Sequence, residues 1–390
     1  MHITAKPTSY TCNIGCDYCF YLEKETFFHK NPPFMSDETL ELFIKHYIFR
    51  SGSEVYFTWQ GGEPTLAGIE FFEKVVELQQ KYSVGKQIHN AFQTNGILLN
   101  NKWGEFFKRN DFLVGISIDG PKELHDVYRV SKSGKGTFDK VMKGIEILNK
   151  NEVAYNTITV INNVNVYHPD DVYQFLKTLG TQHFQFIELL ETNTFAAESI
   201  PIWLVDDKKI SGVCDFSTPA LAYGQFMGHI FEQWIKDDIG EIFIRQFESF
   251  VSCYIGNGHT SCVFKPDCGE EWVLEANGTL YECDHFVFPD YTIGNIEKGL
   301  DDLFGEKVFR AKRKLAAQCK CCDYLPICNG GCPKHRVNVG KGAGVSYFCE
   351  GYKHLFSKMV PYLNAMTSLM EDGFSATEIK KIVHLIERSQ

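Results

Sequence analysis

The chain has 390 residues, 44% of them hydrophobic and 23% charged, which is enough for about two domains with cores of their own. Its formal charge of −10 argues against a nucleic-acid backbone as the main partner, and no apolar run approaches the roughly 18 residues that a membrane span needs. The N-terminus, Met1-His-Ile-Thr-Ala-Lys, lacks an apolar secretory stretch, so the expected location is cytoplasmic, with no membrane partner.

Residues 1–190 alternate strand and helix signals. A first strand precedes Cys12, and apolar or β-branched runs follow at residues 55–59, 89–93, 112–118, 155–161 and 184–190. Between them, Leu40, Phe43, Ile44 and Tyr47 share one helical face, with Ser36 placed to cap it. Phe138, Val141, Met142 and Ile145 repeat the spacing, as do Val172, Phe175, Leu176 and Leu179 before Gly180. Six βα units argue for a parallel sheet, either a partial (β/α)6 barrel of the TIM type or a doubly wound sheet. Three strands run into polar, glycine-bearing turns: Gln60-Gly61-Gly62-Glu63-Pro64, Gln93-Thr94-Asn95-Gly96 and Ser117-Ile118-Asp119-Gly120-Pro121. In parallel βα folds those strand ends carry the active site.

Residues 191–240, with Trp203, Pro219 and a helix expected over 223–234, read as the end of this first domain (1–240) and a linker. Short strands, turns and cysteines then mark a second domain over 241–350, and residues 351–390 read as helical. Ala276-Asn277-Gly278-Thr279 predicts a hairpin turn that would bring Cys268 and Cys283 together.

Of the fourteen cysteines, three lie within residues 12–19, none between 20 and 213, and ten between 253 and 349. Clusters of this kind in an intracellular chain point to metal rather than to disulfides. Cys12, Cys16 and Cys19, at C-x3-C-x2-C spacing, suit three corners of a [4Fe–4S] cube, leaving one iron free to bind a small molecule. Zinc is the alternative, although a structural zinc site closes with a fourth ligand and the nearest downstream histidine is His29. With Phe20-Tyr21, the motif resembles the radical S-adenosylmethionine (SAM) enzymes. In the C-terminal half, Cys268-x9-Gly278-x4-Cys283, Cys319-x2-Cys322-x5-Cys328-x3-Cys332 and Cys349 resemble the SPASM domain attached to peptide-modifying members of that superfamily. Structural zinc ribbons are again the alternative.

The resemblance narrows further. Cys-Phe-Tyr at 19–21, Gln-Gly-Gly-Glu-Pro-Thr at 60–65, Gln93-Thr-Asn-Gly, Ser117-Ile-Asp-Gly-Pro and Cys283-Asp284 together are similar to the anaerobic sulfatase-maturating enzymes. This resemblance favours the partial radical SAM barrel, followed by a SPASM-type domain and a C-terminal helical segment. It implies oxidation of one Cys or Ser of a sulfatase to Cα-formylglycine (3-oxoalanine), directly from serine or through a thioaldehyde from cysteine. It also implies three [4Fe–4S] clusters, SAM, a sulfatase polypeptide as partner, a flavodoxin- or ferredoxin-like electron donor and an oxygen-free setting.

By the same resemblance, Cys12, Cys16 and Cys19 hold the SAM-binding cluster. One auxiliary cluster takes Cys262, Cys268, Cys283 and Cys332, and the other takes Cys319, Cys322, Cys328 and Cys349. Cys214, Cys253 and Cys321 remain as buried free thiols. Tyr21, Gly61, Gly62, Glu63, Ser117, Arg129 and Leu190 are the expected SAM contacts. For Arg129 the alternative is a surface ion pair, and for Leu190 simple core. Gln60, Gln93 and Tyr21 are the expected peptide contacts, with structural hydrogen bonding as their alternative role. Asp284 is the expected proton acceptor during oxidation, against a plain turn aspartate, and His285 is a second candidate. The rival functions are a SPASM maturase forming thioether or carbon–carbon bonds, which lacks the set Gln60, Gln93 and Asp284, and a non-enzymatic Fe–S carrier.

Overall fold

The computed structural model describes residues 1–21, 24–28, 33–192, 212–269, 271–301, 303, 305–337 and 343–389. His29 and Trp203 lie outside the described residues. The principal strands are β1 (His2–Lys6), β2 (Glu54–Trp59), β3 (Gln87–Thr94), β4 (Phe112–Ser117), β5 (Tyr155–Ile161), β6 (His183–Glu188), β7 (Phe243–Ile244), β8 (Glu271–Glu275), β9 (Thr279–Tyr281) and β10 (Thr292–Asn295). The chain forms two compact units. One comprises Met1–Ile118, Lys122–Thr157 and Gly269–Arg310, and the other Asp119–Pro121, Ile158–Cys268 and Ala311–Gln390.

In the first unit β1, β2, β3 and β4 lie side by side in chain order, all parallel. Winding in one direction is what a barrel requires, whereas a doubly wound sheet reverses its strand order at the first strand. The other edge of β1 pairs in parallel with β8, and β9 and β10 extend from there as an antiparallel meander. The β8–β9 turn is the hairpin expected at Gly278. Residues 271–295 therefore complete the sheet that holds the N-terminal strands, and this grouping cuts across the linear order of domains read from the sequence.

The strands form where alternation dictates. In β2, Val55, Phe57 and Trp59 point into the core while Glu54 and Tyr56 are exposed. The helix Asp37–Arg50 starts at Ser36, whose side chain accepts from the Thr39 amide at 3.2 Å, and it buries Leu40, Phe43, Ile44 and Tyr47. Phe43, Phe57, Trp59, Phe72, Phe92 and Trp103 then pack ring on ring, each burial being worth about 1.5–3 kcal/mol. The helix Phe138–Lys150 buries Val141, Gly144, Ile145 and Leu148, so its inner face is turned away from the expected Phe138 and Met142. In every case the polar loops follow the C-terminal strand ends.

In the second unit β6 and β7 pair in parallel. The helix expected over 223–234 runs as Ala220–Gln233 and continues into a π-helical turn, Trp234–Asp238. It packs on the long helix Cys349–Glu371 at van der Waals range: a Cβ on Gly224 would stand 2.1 Å from the Gly351 carbonyl oxygen. Cys349 is thereby fixed as the first residue of a buried helix. Among the described residues no helix is long and apolar enough to cross a membrane.

Candidate active site

The loop after β1 carries Cys12, Cys16 and Cys19, and it is braced on two sides. The amide of Gly62 donates to Ser9 O at 2.7 Å and that of Glu63 to Thr11 O at 2.9 Å, tying the loop to the turn after β2. On its other side the Gly15 amide donates to Val130 O (2.9 Å) and the Asp17 amide to Tyr128 O (3.3 Å). Only glycine fits at 62, because a Cβ there would lie 2.1 Å from Thr11 O. The Gly-Gly pair thus admits the cysteine loop itself. Asn95, at the end of β3, donates to Asn13 Oδ1 at 2.7 Å and approaches Cys12 Sγ at 3.8 Å.

Burial pushes the Cys12 thiol up to about 11, with the charges of Glu63 and Cys19 adding to the effect, so ionisation there calls for a cation. An iron–sulfur cube takes thiolate donors, one to each iron. Three thiols on one doubly braced loop fit that donor set.

Glu63 is fully buried, and its carboxylate is engaged within the protein. Oε1 accepts from the Thr65 amide (3.1 Å), Thr65 Oγ1 (2.6 Å) and Thr94 Oγ1 (2.7 Å), and Oε2 accepts from the Asn95 amide (2.7 Å). Burial raises its pKa, and these donors oppose the rise. The side chain staples the end of β2 to the end of β3, while the backbone amides of Gly62 and Glu63 hold the cysteine loop.

A second cluster in the same unit brings together two of the three expected peptide contacts, Gln60 and Tyr21, and does not include Gln93. Lys6, the last residue of β1, is completely buried, and its Nζ stands 2.6 Å from Asp284 Oδ1. The same ammonium donates to Gln60 Oε1 at 2.9 Å and lies 4.5 Å above the ring centre of Tyr21. The Tyr21 hydroxyl donates to Glu275 Oε1, on β8. Burial, then the charges of Glu275 and Asp284, hold that phenol well above its ordinary range, so it stays a donor. Burial likewise raises the Glu275 carboxyl, against the opposing hydrogen bond from Tyr21. Asp284 sits in a single turn, Asp284–Phe286, capped by Cys283, with His285 against the ring of Phe20 at 5.9 Å. Asp284 thus has a buried ammonium partner, which a plain turn aspartate lacks.

Arg129 is 7% exposed and its guanidinium lies 5.6 Å from the Tyr18 ring centre, beside the cysteine loop, so it is not a surface ion pair. Ser117 is buried at the end of β4, and Gln93 is half-buried near the end of β3. Leu190, fully buried, belongs to the second unit.

All fourteen cysteines are free of disulfides. In the second unit they fall into two electrostatic neighbourhoods. Cys268 feels Cys332 and Cys262, while Cys349 feels Cys319 and Cys322, and Cys328 feels Cys349 and Cys319. Burial raises Cys268 to about 12 and Cys328 to about 11. Cys328 and Cys332 therefore part company although only three residues separate them. Cys321 is exposed and Cys214 and Cys253 are half-buried, so the expectation of three buried spare thiols is corrected. Cys321 sits at the end of the short helix Ala317–Lys320, where its side chain turns outward.

The family profile described as the Radical SAM superfamily matches residues 7–176. A serine-type anaerobic sulfatase-maturating enzyme of Bacteroides thetaiotaomicron is 40% identical over 98% of this chain and 94% of its own length. The chain belongs to the anaerobic sulfatase-maturating enzymes. A cysteine-type member of this family from Clostridium novyi is 35% identical over 92% of this chain and 95% of its own. The solved structure of native anSMEcpe with bound AdoMet and Cp18Cys peptide superposes with a TM-score of 0.83 at 32% identity, covering 95% of this chain and 99% of that one. Beside the expected site residues stand three that the sequence does not mark by themselves: Lys6, Glu275 and Asn95. Lys6 and Glu275 end two adjacent parallel strands, where polar residues are commonplace. Their burial is the signal, and pattern alone does not carry it.

Proposed function

We propose that the protein oxidises one cysteine or serine of a sulfatase polypeptide to Cα-formylglycine, using three [4Fe–4S] clusters and SAM. The N-terminal cluster and SAM, when bound, supply a 5′-deoxyadenosyl radical able to take hydrogen from an unactivated Cβ. Cys12, Cys16 and Cys19 hold that cluster, and the backbone of the Gly61-Gly62-Glu63 turn, Ser117 and Arg129 orient SAM. Leu190 lines the adenine side.

Gln60, Gln93 and Tyr21 hold the peptide. Gln60 is fixed by Lys6, and the Tyr21 ring is fixed between Lys6 and Glu275. Asp284 accepts the proton that leaves the substrate during oxidation. The auxiliary clusters take Cys262, Cys268, Cys283 and Cys332, and Cys319, Cys322, Cys328 and Cys349. The two thiol neighbourhoods of the second unit support that division. A flavodoxin- or ferredoxin-like protein delivers electrons, in an oxygen-free cytoplasm.

The observation that carries this reading is the Asp284 carboxylate held 2.6 Å from a buried ammonium that also fixes Gln60. Matched Cys- and Ser-containing sulfatase peptides, incubated with reconstituted enzyme, SAM and reductant and then weighed, test it. Wild type yields the aldehyde mass from at least one peptide. Asp284→Asn continues to form 5′-deoxyadenosine while aldehyde formation falls. Wild-type rates of both in the variant would remove Asp284 from the role of base.

A further inference from the structure

Two cations are buried among the cysteines of the second unit. Lys312 is 1% exposed and Arg336 is 3% exposed. Among the described residues Arg336 donates to backbone carbonyls alone: Nε to Gly330 O (3.0 Å), one terminal nitrogen to Ala311 O (2.7 Å) and Lys314 O (3.0 Å), and the other to Lys312 O (2.9 Å), Asn329 O (3.3 Å) and Gly331 O (3.4 Å). Lys312 Nζ donates to Gly331 O and to Val263 O, both at 2.7 Å.

Those acceptors are specific. Asn329, Gly330 and Gly331 are the whole of the loop between Cys328 and Cys332, and Val263 follows Cys262. All three loop residues have left-handed backbone, with φ of 47°, 72° and 63°. The Asn329 and Gly330 carbonyls meet Arg336, and the Gly331 carbonyl meets both cations. The loop that sends Cys328 to one thiol group and Cys332 to the other is thus wrapped around two positive charges.

A buried charge is costly unless an opposite charge offsets it. Among the described residues neither Lys312 nor Arg336 pairs with a carboxylate. The negative charge nearest them comes from thiols: Cys332, Cys268 and Cys328 around Lys312, and those three with Cys319 around Arg336, while Asp267, hydrogen-bonded to Arg313, feels Lys312 as a lesser influence. Burial lowers the pKa of both cations, and the thiols pull the other way.

We infer that Lys312 and Arg336 are the shared counter-charge of both auxiliary clusters, positioning the Cys328–Cys332 loop and raising the reduction potentials of the two clusters it joins. The inference rests on the proposal that these cysteines hold iron–sulfur clusters. An all-thiolate cube is negatively charged and gains one more negative charge on reduction. A fixed cation beside it favours the reduced form, and net charge is one of the properties that set such potentials. Because one loop serves both sets, the same two residues act on both couples.

The test is an EPR-monitored redox titration of anaerobically reconstituted, full-length protein, in wild type, Lys312→Met and Lys312→Arg, with iron counted per chain. Lys312→Met is expected to load iron fully and to make auxiliary-cluster reduction about tenfold less favourable, about 59 mV for a one-electron couple. The N-terminal cluster should keep its potential, and Lys312→Arg should restore the auxiliary potentials. Auxiliary potentials in Lys312→Met equal to wild type would overturn the inference. So would an equal displacement in Met and Arg variants, which would mark a purely structural role. If Lys312→Met fails to load iron, Lys312→Arg alone decides: full loading at the wild-type potential upholds the charge role, and failure to load overturns it. The underlying cluster reading fails separately, when wild type itself carries about four irons per chain instead of about twelve.

Discussion

Replacing Lys6 by methionine should separate SAM cleavage from substrate oxidation. Lys6 is completely buried, and among the described residues its ammonium meets none of the thiols of the cysteine loop. What it does touch is Asp284 at 2.6 Å, Gln60 at 2.9 Å and the face of Tyr21. Methionine preserves the apolar stem and removes the ammonium, leaving the Asp284 carboxylate without its cation and Gln60 without its anchor. A hydrogen bond to a charged group is worth about 1.5–3 kcal/mol. Asp284 is partly open to solvent, with a side chain 28% exposed, so water recovers part of that.

A loss of about 2 kcal/mol, expressed in the oxidation step alone, slows that step about thirtyfold. The assay quantifies 5′-deoxyadenosine and aldehyde product from the same single-turnover reaction with a sulfatase peptide. Lys6→Met should lower the ratio of aldehyde to 5′-deoxyadenosine about thirtyfold with normal iron content. A ratio equal to wild type would refute the positioning role, as would a parallel loss of both products with iron intact.

Two other perturbations follow from the same geometry. Gly62→Ala drives a Cβ to 2.1 Å from Thr11 O, so the cysteine loop must move; about 1–3 kcal/mol of stability should go, together with the EPR signal of the N-terminal cluster, and an unchanged signal would contradict the packing argument. His259 is buried between Phe250 and Phe264, with Ser249 Oγ 3.2 Å from its Nδ1, and burial lowers its pKa to about 4. The unfolded chain protonates this residue below about pH 6.5 and the folded chain only near 4, so the folded state loses stability as pH falls through that window. Wild type should therefore lose more Tm between pH 6.5 and 4.5 than His259→Phe, and equal losses would exclude His259 as the source.

The strands were legible because parallel βα units write their burial into short apolar runs, while the choice of a barrel over a doubly wound order came from the family resemblance. The run at 155–161 coincides with β5, and Ser36 marked its helix start from the capping rule alone. The cysteine motifs were legible because ligand spacing is a property of the chain itself. What the pattern did not carry is the company each residue keeps. Lys6 reads as a strand-end lysine, and only the pairing of β1 with β8, across a separation of some 270 residues, gives it Asp284 and Tyr21 as neighbours and lets Glu275 face the same phenol.

Gly62 read as an opening toward a ligand, while its first neighbour is the Thr11 carbonyl. Nothing in the sequence around Lys312 or Arg336 marks them as buried, and tertiary contact alone sets them against the Cys328–Cys332 loop. The helix Phe138–Lys150 illustrates the same limit on a small scale: its period was readable, and which side of the period faces the sheet was settled by packing.

The central claim is that Cys12, Cys16 and Cys19 hold a four-iron cube with one iron open to SAM. The most direct measurement is low-temperature EPR of the reduced, anaerobically reconstituted protein with and without SAM, alongside the triple variant Cys12→Ala, Cys16→Ala, Cys19→Ala. The account requires one cluster signal that shifts when SAM is added and is missing from the variant, which should neither respond to SAM nor release 5′-deoxyadenosine. A SAM-responsive signal that survives in the variant, or stoichiometric zinc at these cysteines in the wild type, would contradict it.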